Sequence, residues 1–424
     1  MTRFLMPEMF GLMAMASTLM IGLSMFSDLG LRQFVVQHAR GGDASYLNTA
    51  WVIQIFRGVL LWLTASGISI ALSVAGSFGL FPEGSVYASP SLPVILIALS
   101  FSTVVSGFTS TKLLEANRGL SLGLVTKNEL VAQIVGLLCM IVWVAVDRSV
   151  WALVAGALAS NAARVVLSHL WLPGVSNRWA WNEAAAREIL QLGRWIFLAS
   201  ILGFLVNSGD QLLLAGFVDS STLGLYVIAS LYVGSVDAVL AKVMSDVSFP
   251  TFSEIVRERQ SDLKRNYYRF HLFIAATAYL ASGILIAIGP MLINVLYDHR
   301  YQLAGPMMSI IAPVLLVVPF RLATQSFMAM GKPQLHSHIL LIRLGALAVF
   351  APIGFYSFGL HGALLGIVLS NFSYVPLIIL YNVRERLFDA RREILLLMLF
   401  PIGLGFGYLA SMGLEYVHGA FRMH

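Results

Sequence analysis

The chain has 424 residues, of which 58% are hydrophobic and only 11% are charged, and its mean hydropathy is +0.81. An average soluble domain carries about 25% charged residues, so this composition excludes an ordinary soluble domain and indicates a protein that crosses a membrane many times. The net charge of +6 would suggest nucleic acid in a soluble protein, but here it indicates basic loops on one membrane face. The single cysteine, Cys139, excludes an internal disulfide.

Twelve apolar segments predict an all-α membrane protein with about twelve transmembrane helices. Each crossing needs about 20 mostly apolar residues, and several segments exceed that length, which predicts tilted helices or interfacial ends. In chain order the predicted helices are 9–36, 46–76, 91–114, 124–146, 149–171, 190–217, 222–250, 268–297, 302–330, 336–357, 361–383 and 392–418.

The basic residues are sorted strongly between the loops on the two sides. Of the 27 Lys and Arg residues, nineteen fall in one alternating set of loops, four in the opposite set and four within predicted spans. The positive-inside rule assigns the richer set to the cytoplasm, and a miscounted helix would destroy the alternation. The sequence therefore predicts a multi-pass membrane protein with Met1 on the outer side.

The two halves of the chain resemble each other at a nearly constant offset of 213 to 216 residues. Matching helices run in the same direction, which predicts a repeat axis along the membrane normal. The matches, in order, are Phe10-Gly11-Leu12 with Leu223-Gly224-Leu225, Ala65-Ser66-Gly67-Ile68 with Ala281-Ser282-Gly283-Ile284, and Arg118 with Lys332.

This alignment leaves one predicted helix, 190–217, without a counterpart in the first half. We therefore expect that the sequence begins one helix late, with a first lobe of five helices over 1–171 and a cytoplasmic linker over 172–189. A second lobe of six helices over 190–385 and an extra C-terminal helix within 386–424 complete the predicted organisation. A protein with lobes of unequal helix number is the alternative.

Several motifs resemble one family of membrane transporters. The chain opens with FLMPEMFGLMAMAS, followed by NTAWVIQIFRGVLL, and later contains NSGDQLLLAGFVDSSTLGLYVIAS, FPTFSEI, RNYYRFH and MGKP. Together these resemble the Wzx-type lipid-linked polysaccharide and O-antigen flippases of the MOP superfamily over nearly the whole chain. Under this resemblance, we expect the first helix of that family to be the one that the sequence lacks.

The resemblance implies a two-lobed, MATE-like bundle around a central cavity that alternates between inward-open and outward-open states. The implied cargo is an oligosaccharide repeat unit on undecaprenyl diphosphate, moved across the bacterial cytoplasmic (inner) membrane for exopolysaccharide or O-antigen assembly. The implied partners are this lipid-linked oligosaccharide, membrane lipids, and the polysaccharide polymerase and chain-length machinery, with no nucleic acid. No cofactor, metal or catalytic residue is expected, and the nine histidines show no metal-ligand spacing.

The cations within the predicted spans fit such a cargo on chemical grounds. A diphosphate and a glycan cannot cross about 30 Å of hydrocarbon unaided, so a carrier needs a hydrated cavity with cations. Arg57, Arg321 and Lys242 are the candidate cavity cations, and the guanidinium fork suits phosphate because it donates two hydrogen bonds at once. The alternative for each is a side chain that snorkels to the interface, which is the interpretation given to Arg164.

The acids within the spans, Asp28, Asp210, Asp237 and Asp246, are candidates for proton or sodium coupling. Alternatively, each pairs with a nearby cation or caps a helix break; Lys242 and Asp246, four residues apart, share a helix face and can neutralise each other. Amide side chains are candidates for a sugar path, although hydrogen bonds within the bundle explain them equally well. These amides are Asn48, Gln54, Asn128, Asn207, Gln325 and Asn371.

Two other functions are alternatives to a flippase. A membrane polysaccharide polymerase or glycosyltransferase needs a charged outward loop, whereas the longest one here, 77–90, carries one acid and no base; no phosphate-binding loop for ATP is present either. A MATE-like drug/cation antiporter calls for an acidic cavity, whereas the best cavity candidates here are basic. Both alternatives are therefore less favoured than the flippase.

Overall fold

The computed structural model describes residues 4–26, 35, 41–119, 121–258 and 262–422, and the regular elements in this part of the chain are all helical. The chain divides into two compact units between Ser221 and Thr222. In the first unit the helices are α1 Pro7–Phe26, α2 Ala44–Ser77, α3 Ser91–Gly107, α4 Lys112–Arg118, α5 Leu122–Val146, α6 Trp151–Leu170 and α7 Glu183–Phe217.

The second unit contains the remaining helices, of which the first begins two residues before the division. They are α8 Ser220–Val243, α9 Phe249–Glu258, α10 Leu263–Leu296, α11 Ala304–Ile311, α12 Val318–Ala329, α13 Pro333–Phe372, α14 Val375–Arg384, α15 Ala390–Leu397 and α16 Leu399–Arg422. A π-helical turn, Met244–Ser248, joins α8 to α9, and a 3₁₀ turn, Ala312–Val317, joins α11 to α12.

Ten helical stretches in the described residues are long and apolar enough to cross a membrane, and α3 and α4 form an eleventh crossing if this pair, bent by 69°, counts as one span. The longest stretch, Gln334–Arg384, covers two of the predicted helices, 336–357 and 361–383. Counting its two arms separately gives twelve crossings in the described chain. The prediction of about twelve apolar helices is confirmed.

The two arms of α13 meet at Gly359, whose φ of +61° and ψ of −145° lie in a region that only glycine adopts readily. A Cβ atom added at Gly354 would lie 2.1 Å from the carbonyl oxygen of Gly362, and one at Gly366 would lie 2.3 Å from that of Phe350. These pairs converge on Gly359, so the chain reverses there and the arms pack as an antiparallel hairpin.

Helix α7 lies in the first unit, which differs from the predicted second lobe beginning at residue 190. Its side chains bond to the first helices of that unit: Thr18 Oγ1 donates to Gln211 Oε1 at 2.6 Å, and Tyr46 Oη donates to Glu188 Oε2 at 2.9 Å. Its amino-terminal residues also share an apolar cluster with α2. These contacts belong to the first compact unit, which contains six crossings and ends after α7. The lobes over 1–171 and 190–385 and the linker over 172–189 remain predictions.

Close helix packing in the second unit depends on small residues. Gly403 and Gly407 lie one turn apart on α16, and a Cβ atom at either would fall within 3 Å of α10 backbone, at Leu280 and Ile284. Small residues at such spacing let two backbones approach closely, which favours helix association in a bilayer. Helix α16, predicted as an extra C-terminal helix, therefore packs along α10.

Candidate functional site

The first unit contains two adjoining cavities between α1, α2, α3 and α6. Their volumes are about 300 and 680 Å³. Both are lined by two arginines, Arg57 of α2 and Arg164 of α6, and by the small polar residues Ser24, Thr103 and Ser106. We call this pair of spaces the two-arginine cavity.

Arg57 lies in the middle of α2 and is half-buried in the wall of this cavity. Its Nη2 atom donates to the carbonyl oxygen of Ser24, in the last described turn of α1, at 2.8 Å. This bond holds the guanidinium across the gap between α1 and α2. The predicted cavity cation therefore lines a cavity, and the cavity lies within the first unit.

Arg164, which the sequence analysis interpreted as a snorkelling side chain, lines the same two spaces. Its Nη2 atom lies 3.0 Å from Glu129 Oε2 of α5, and its Nε atom is buried without a hydrogen-bond partner in the described structure. One side of the guanidinium is thus neutralised while the other keeps a donor unused. Glu129 therefore offsets the charge of Arg164 on one side of the cavity.

The bend between α3 and α4 shapes the wall opposite Arg57. The Nε2 atom of Gln54 lies 3.2, 3.1 and 3.2 Å from the carbonyl oxygens of Ser106, Gly107 and Thr109, which lie at the break in the helix. The Ser106 carbonyl also accepts from the backbone N–H of Thr109 at 3.0 Å. Gln54, a candidate for the sugar path, lines the smaller cavity, but its amide donors are used on backbone carbonyls. Its contribution in this structure is to hold the bend.

Gly58 allows α2 and α3 to approach closely beside this wall. A Cβ atom there would lie 2.4 Å from the carbonyl oxygen of Thr103, whose hydroxyl in turn donates to the carbonyl of Gly58 at 2.9 Å. The close contact places Arg57, the next residue before Gly58, against the polar face of α3.

In the second unit, Arg321 of α12 forms an ion pair with Asp237 of α8. The sequence analysis had assigned these residues separate roles, as a phosphate-binding cation and as a coupling acid without a local partner. Their side chains are 27% and 32% exposed, and the Nε atom of Arg321 is buried without a hydrogen-bond partner. Because the two charges compensate each other, Arg321 can bind a phosphate only if its pairing with Asp237 is weakened, and a change in the protonation of Asp237 alters the charge at Arg321.

Lys242 and Asp246 are both exposed, and no ion pair joins them in the described structure. The π-helical turn Met244–Ser248 begins between them and interrupts the regular α-helical spacing, while Asp246 Oδ1 accepts a hydrogen bond from Ser245 Oγ at 2.9 Å. The alternative in which these two residues neutralise each other has no ion pair behind it in the described residues.

The other predicted residues are dispersed. Asp28 lies outside the described residues. Asn48 is buried and accepts from the backbone N–H of Arg178 at 2.8 Å, so it ties the loop before α7 to α2. Asn207 is exposed on α7, Asp210 is half-buried on the same helix, and Gln325 is half-buried one turn after Arg321. None of these lines the two-arginine cavity.

Sequence reasoning missed Arg164 and Glu129 as members of the site. A signal for the first was present, because Asn161 lies three residues before Arg164 on the same helical face and also lines the larger cavity. The pairing of Glu129 with Arg164 joins different helices, 35 residues apart in sequence, so no spacing rule within one helix reveals it.

Solved structures provide a comparison at the level of the fold. An inward-facing multidrug resistance MATE family transporter of the MOP superfamily gives a TM-score of 0.62 at 14% identity, covering 97% of this chain and 92% of that one. The lipid II flippase MurJ in an inward closed conformation gives a TM-score of 0.60 at 12% identity, covering 97% of this chain and 100% of that one. The MATE/MOP-like fold class is confirmed.

Sequence comparison identifies the family. No curated protein matches the chain. The profile of the family described as "Polysaccharide biosynthesis protein" matches residues 1–306, which is more than half of the sequence. The chain is therefore a multi-pass membrane protein with a fold similar to that of MOP-superfamily transporters, and it belongs to this polysaccharide biosynthesis family.

Proposed function

We propose that this protein moves undecaprenyl-diphosphate-linked oligosaccharide repeat units from the cytoplasmic to the outer leaflet of the bacterial inner membrane by alternating access. The units would serve exopolysaccharide or O-antigen assembly, with the polysaccharide polymerase and chain-length machinery acting after it. In this proposal the protein is a transporter and carries out no chemical step on the glycan.

Family and fold both support a role in the movement of lipid-linked sugars. The family description connects the chain to polysaccharide biosynthesis, and both structural neighbours are transport proteins, one of them a flippase of lipid II. The likeness to these neighbours is one of fold, so the specific cargo has to be argued from the chain's own residues.

The observation that carries the proposal is the presence of two arginines in one cavity inside apolar helices. Placing a cation at the centre of a membrane span costs about 2.5–3.5 kcal/mol on insertion scales. An arginine that is kept there despite this cost indicates a function. Arg57 and Arg164 present guanidinium groups to the same space, and Asn161 and Ser106 add neutral polar groups. A diphosphate fits such a surface because guanidinium donors match phosphate oxygens bidentately.

The Arg321–Asp237 pair suggests how an ion could be coupled to this movement in the second unit. Protonation of Asp237 would remove the negative charge that holds Arg321 and leave the guanidinium available to an anion. Conversely, an anion bound at Arg321 would compete with Asp237 and favour its protonation. We therefore keep Asp237 as the coupling candidate and Arg321 as a second phosphate-binding candidate.

The second candidate function is a MATE-like drug/cation antiporter, which the fold of the multidrug transporter favours. Charge argues against it, because the charged residues among the described lining of the two-arginine cavity are both arginines, and Asp237 is already paired with Arg321. A cationic drug would be repelled by such a cavity. Transport of an anionic lipid is consistent with the same charges.

A test in the native cell separates these functions. Deletion of the gene is expected to leave lipid-linked repeat units on the cytoplasmic leaflet, where a membrane-impermeant glycosidase added to spheroplasts cannot reach them. Wild-type protein and Arg187→Ala, which changes a 72% exposed side chain, should restore access, whereas Arg57→Ala should not. Full enzyme access in the deletion strain would contradict the proposal.

A further inference from the structure

A second basic pocket lies in the second unit, away from the residues assigned above. It has a volume of about 420 Å³ and opens between the start of α10 and the short helix α15. Three arginines line it: Arg265 and Arg269 from α10, and Arg392 from α15. In the sequence-based topology these residues lie on the cytoplasmic, basic side of the membrane.

Along both helices that form the pocket, the basic residues come first and the apolar residues follow. Along α10, Arg265, Arg269 and Leu272 follow one another at helical spacing, so they lie on one face with the leucine furthest along the helix. Helix α15 repeats the order, with Arg392 near its start and Leu395 one turn later. Leu272 and Leu395 are 54% and 62% exposed, so apolar surface continues directly from the basic end of the pocket.

Hydrogen bonds between the two helices hold the pocket in shape. Tyr268 Oη donates to Glu393 Oε1 at 3.0 Å and accepts from the backbone N–H of Asp389 at 2.8 Å. The fully buried His271 places its Nε2 atom 3.0 Å from Glu393 Oε2. Lys264 Nζ donates to the carbonyl of Phe388 at 3.1 Å. These contacts fix α15 against α10, so the pocket does not depend on mobile surface arginines alone.

The guanidinium groups keep much of their bonding capacity. Arg392 uses Nε to contact Asp389 Oδ2 at 3.2 Å, and its guanidinium lies 5.1 Å from the centre of the Tyr268 ring. Arg265 lies 3.7 Å from Asp262 Oδ1, which is a weak surface pair. Within the described residues, Arg269 has neither an ion pair nor a hydrogen bond. The pocket therefore has donors for an anion that the protein itself does not satisfy.

We propose that this pocket binds the phosphate headgroup of an anionic glycerophospholipid of the surrounding bilayer, with the acyl chains on Leu272 and Leu395. Arginines provide the charge-assisted hydrogen bonds that phosphate requires. The adjoining exposed leucines distinguish a lipid from a soluble phosphate, since a free ion gains nothing from them. Basic pockets at the cytoplasmic ends of membrane helices are suited to anionic headgroups. This site is separate from the two-arginine cavity and does not depend on the proposed transport.

The test measures lipid binding to the purified full chain in detergent by native mass spectrometry. The probes are dioctanoyl phosphatidylglycerol, the zwitterionic dioctanoyl phosphatidylcholine and inorganic phosphate. We expect the anionic lipid to bind at least about tenfold more tightly than the other two. Arg269→Ala and Arg392→Ala should each weaken its binding by roughly tenfold, and Leu395→Ser should weaken it without affecting binding of inorganic phosphate.

Control variants separate a loss of lipid binding from a loss of folding. Arg187→Ala, at an exposed arginine of α7, should bind the anionic lipid as wild type does. Because Arg269 is exposed and has no protein partner among the described residues, its alanine variant should retain the melting temperature of wild type. Equal binding of the two lipids, equal binding of inorganic phosphate, or an unchanged affinity in Arg269→Ala would each overturn the proposal.

Discussion

Breaking the ion pair between Arg321 and Asp237 should destabilise the second unit. Asp237→Asn leaves the guanidinium without its counter-charge, and Arg321→Gln leaves the carboxylate without its partner. Removing one member of a fully buried pair costs about 3–5 kcal/mol, whereas an exposed pair contributes about 0–1 kcal/mol. With exposures of 27% and 32%, this pair lies between those limits, so we expect about 1–3 kcal/mol for each single change.

The double variant Asp237→Asn/Arg321→Gln tests whether the loss comes from the pair itself. It removes both charges, so it should be more stable than the sum of the single effects predicts, with an interaction energy of about 1–2 kcal/mol. The assay is thermal unfolding in detergent followed by circular dichroism, with all four proteins at one ionic strength, because all eight tryptophans lie before residue 222 and would not report on the second unit. Additive losses, or single variants as stable as wild type, would refute the assignment of a coupled pair.

Three further changes test the fold and the cavity wall. Gly359→Ala should lower stability by about 1–3 kcal/mol in the same unfolding assay because its φ is +61°, whereas the control Gly345→Ala in the same helix should not; equal effects would contradict the hairpin. Gln54→Leu should cost about 1–3 kcal/mol by leaving carbonyls at the α3–α4 bend unsatisfied, and unchanged stability would show that Gln54 does not hold the bend. Gly403→Leu should open the contact between α10 and α16, detected as faster proteolysis of α16, and wild-type protection would count against close packing there.

The membrane helices were largely predictable, because the length of an apolar segment shows whether it can span the bilayer and the charge of the loops shows on which side they lie. The prediction separated 336–357 from 361–383 correctly, since Gly359 and its polar neighbours interrupt the apolar run. The sequence did not reveal with which helices the segment 190–217 packs. Its position depends on bonds such as Thr18–Gln211, which join residues 193 apart and leave no periodic trace in the sequence.

The candidate site was predictable only in part for a similar reason. The cost of a charge in an apolar segment singled out Arg57 and Arg321, and both have specific partners in the structure. The identity of those partners could not be predicted, because Asp237 meets Arg321 through helix packing across 84 residues. The snorkelling interpretation of Arg164 did not anticipate its place in the cavity, because sequence alone does not show which face of α6 meets Arg57.

The most direct test of the central claim is translocation of a fluorescent polyprenyl-diphosphate oligosaccharide in proteoliposomes, read by quenching with a membrane-impermeant reductant. Wild-type protein should make the lipid of both leaflets accessible to the reductant. Arg57→Ala, whose affinity for the lipid should fall roughly ten- to hundred-fold, should translocate it more slowly, with partial recovery in Arg57→Lys. The exposed variant Arg187→Ala should match wild type. Wild-type vesicles that translocate no more than empty ones, or an Arg57→Ala protein as active as wild type at equal density, would contradict the account.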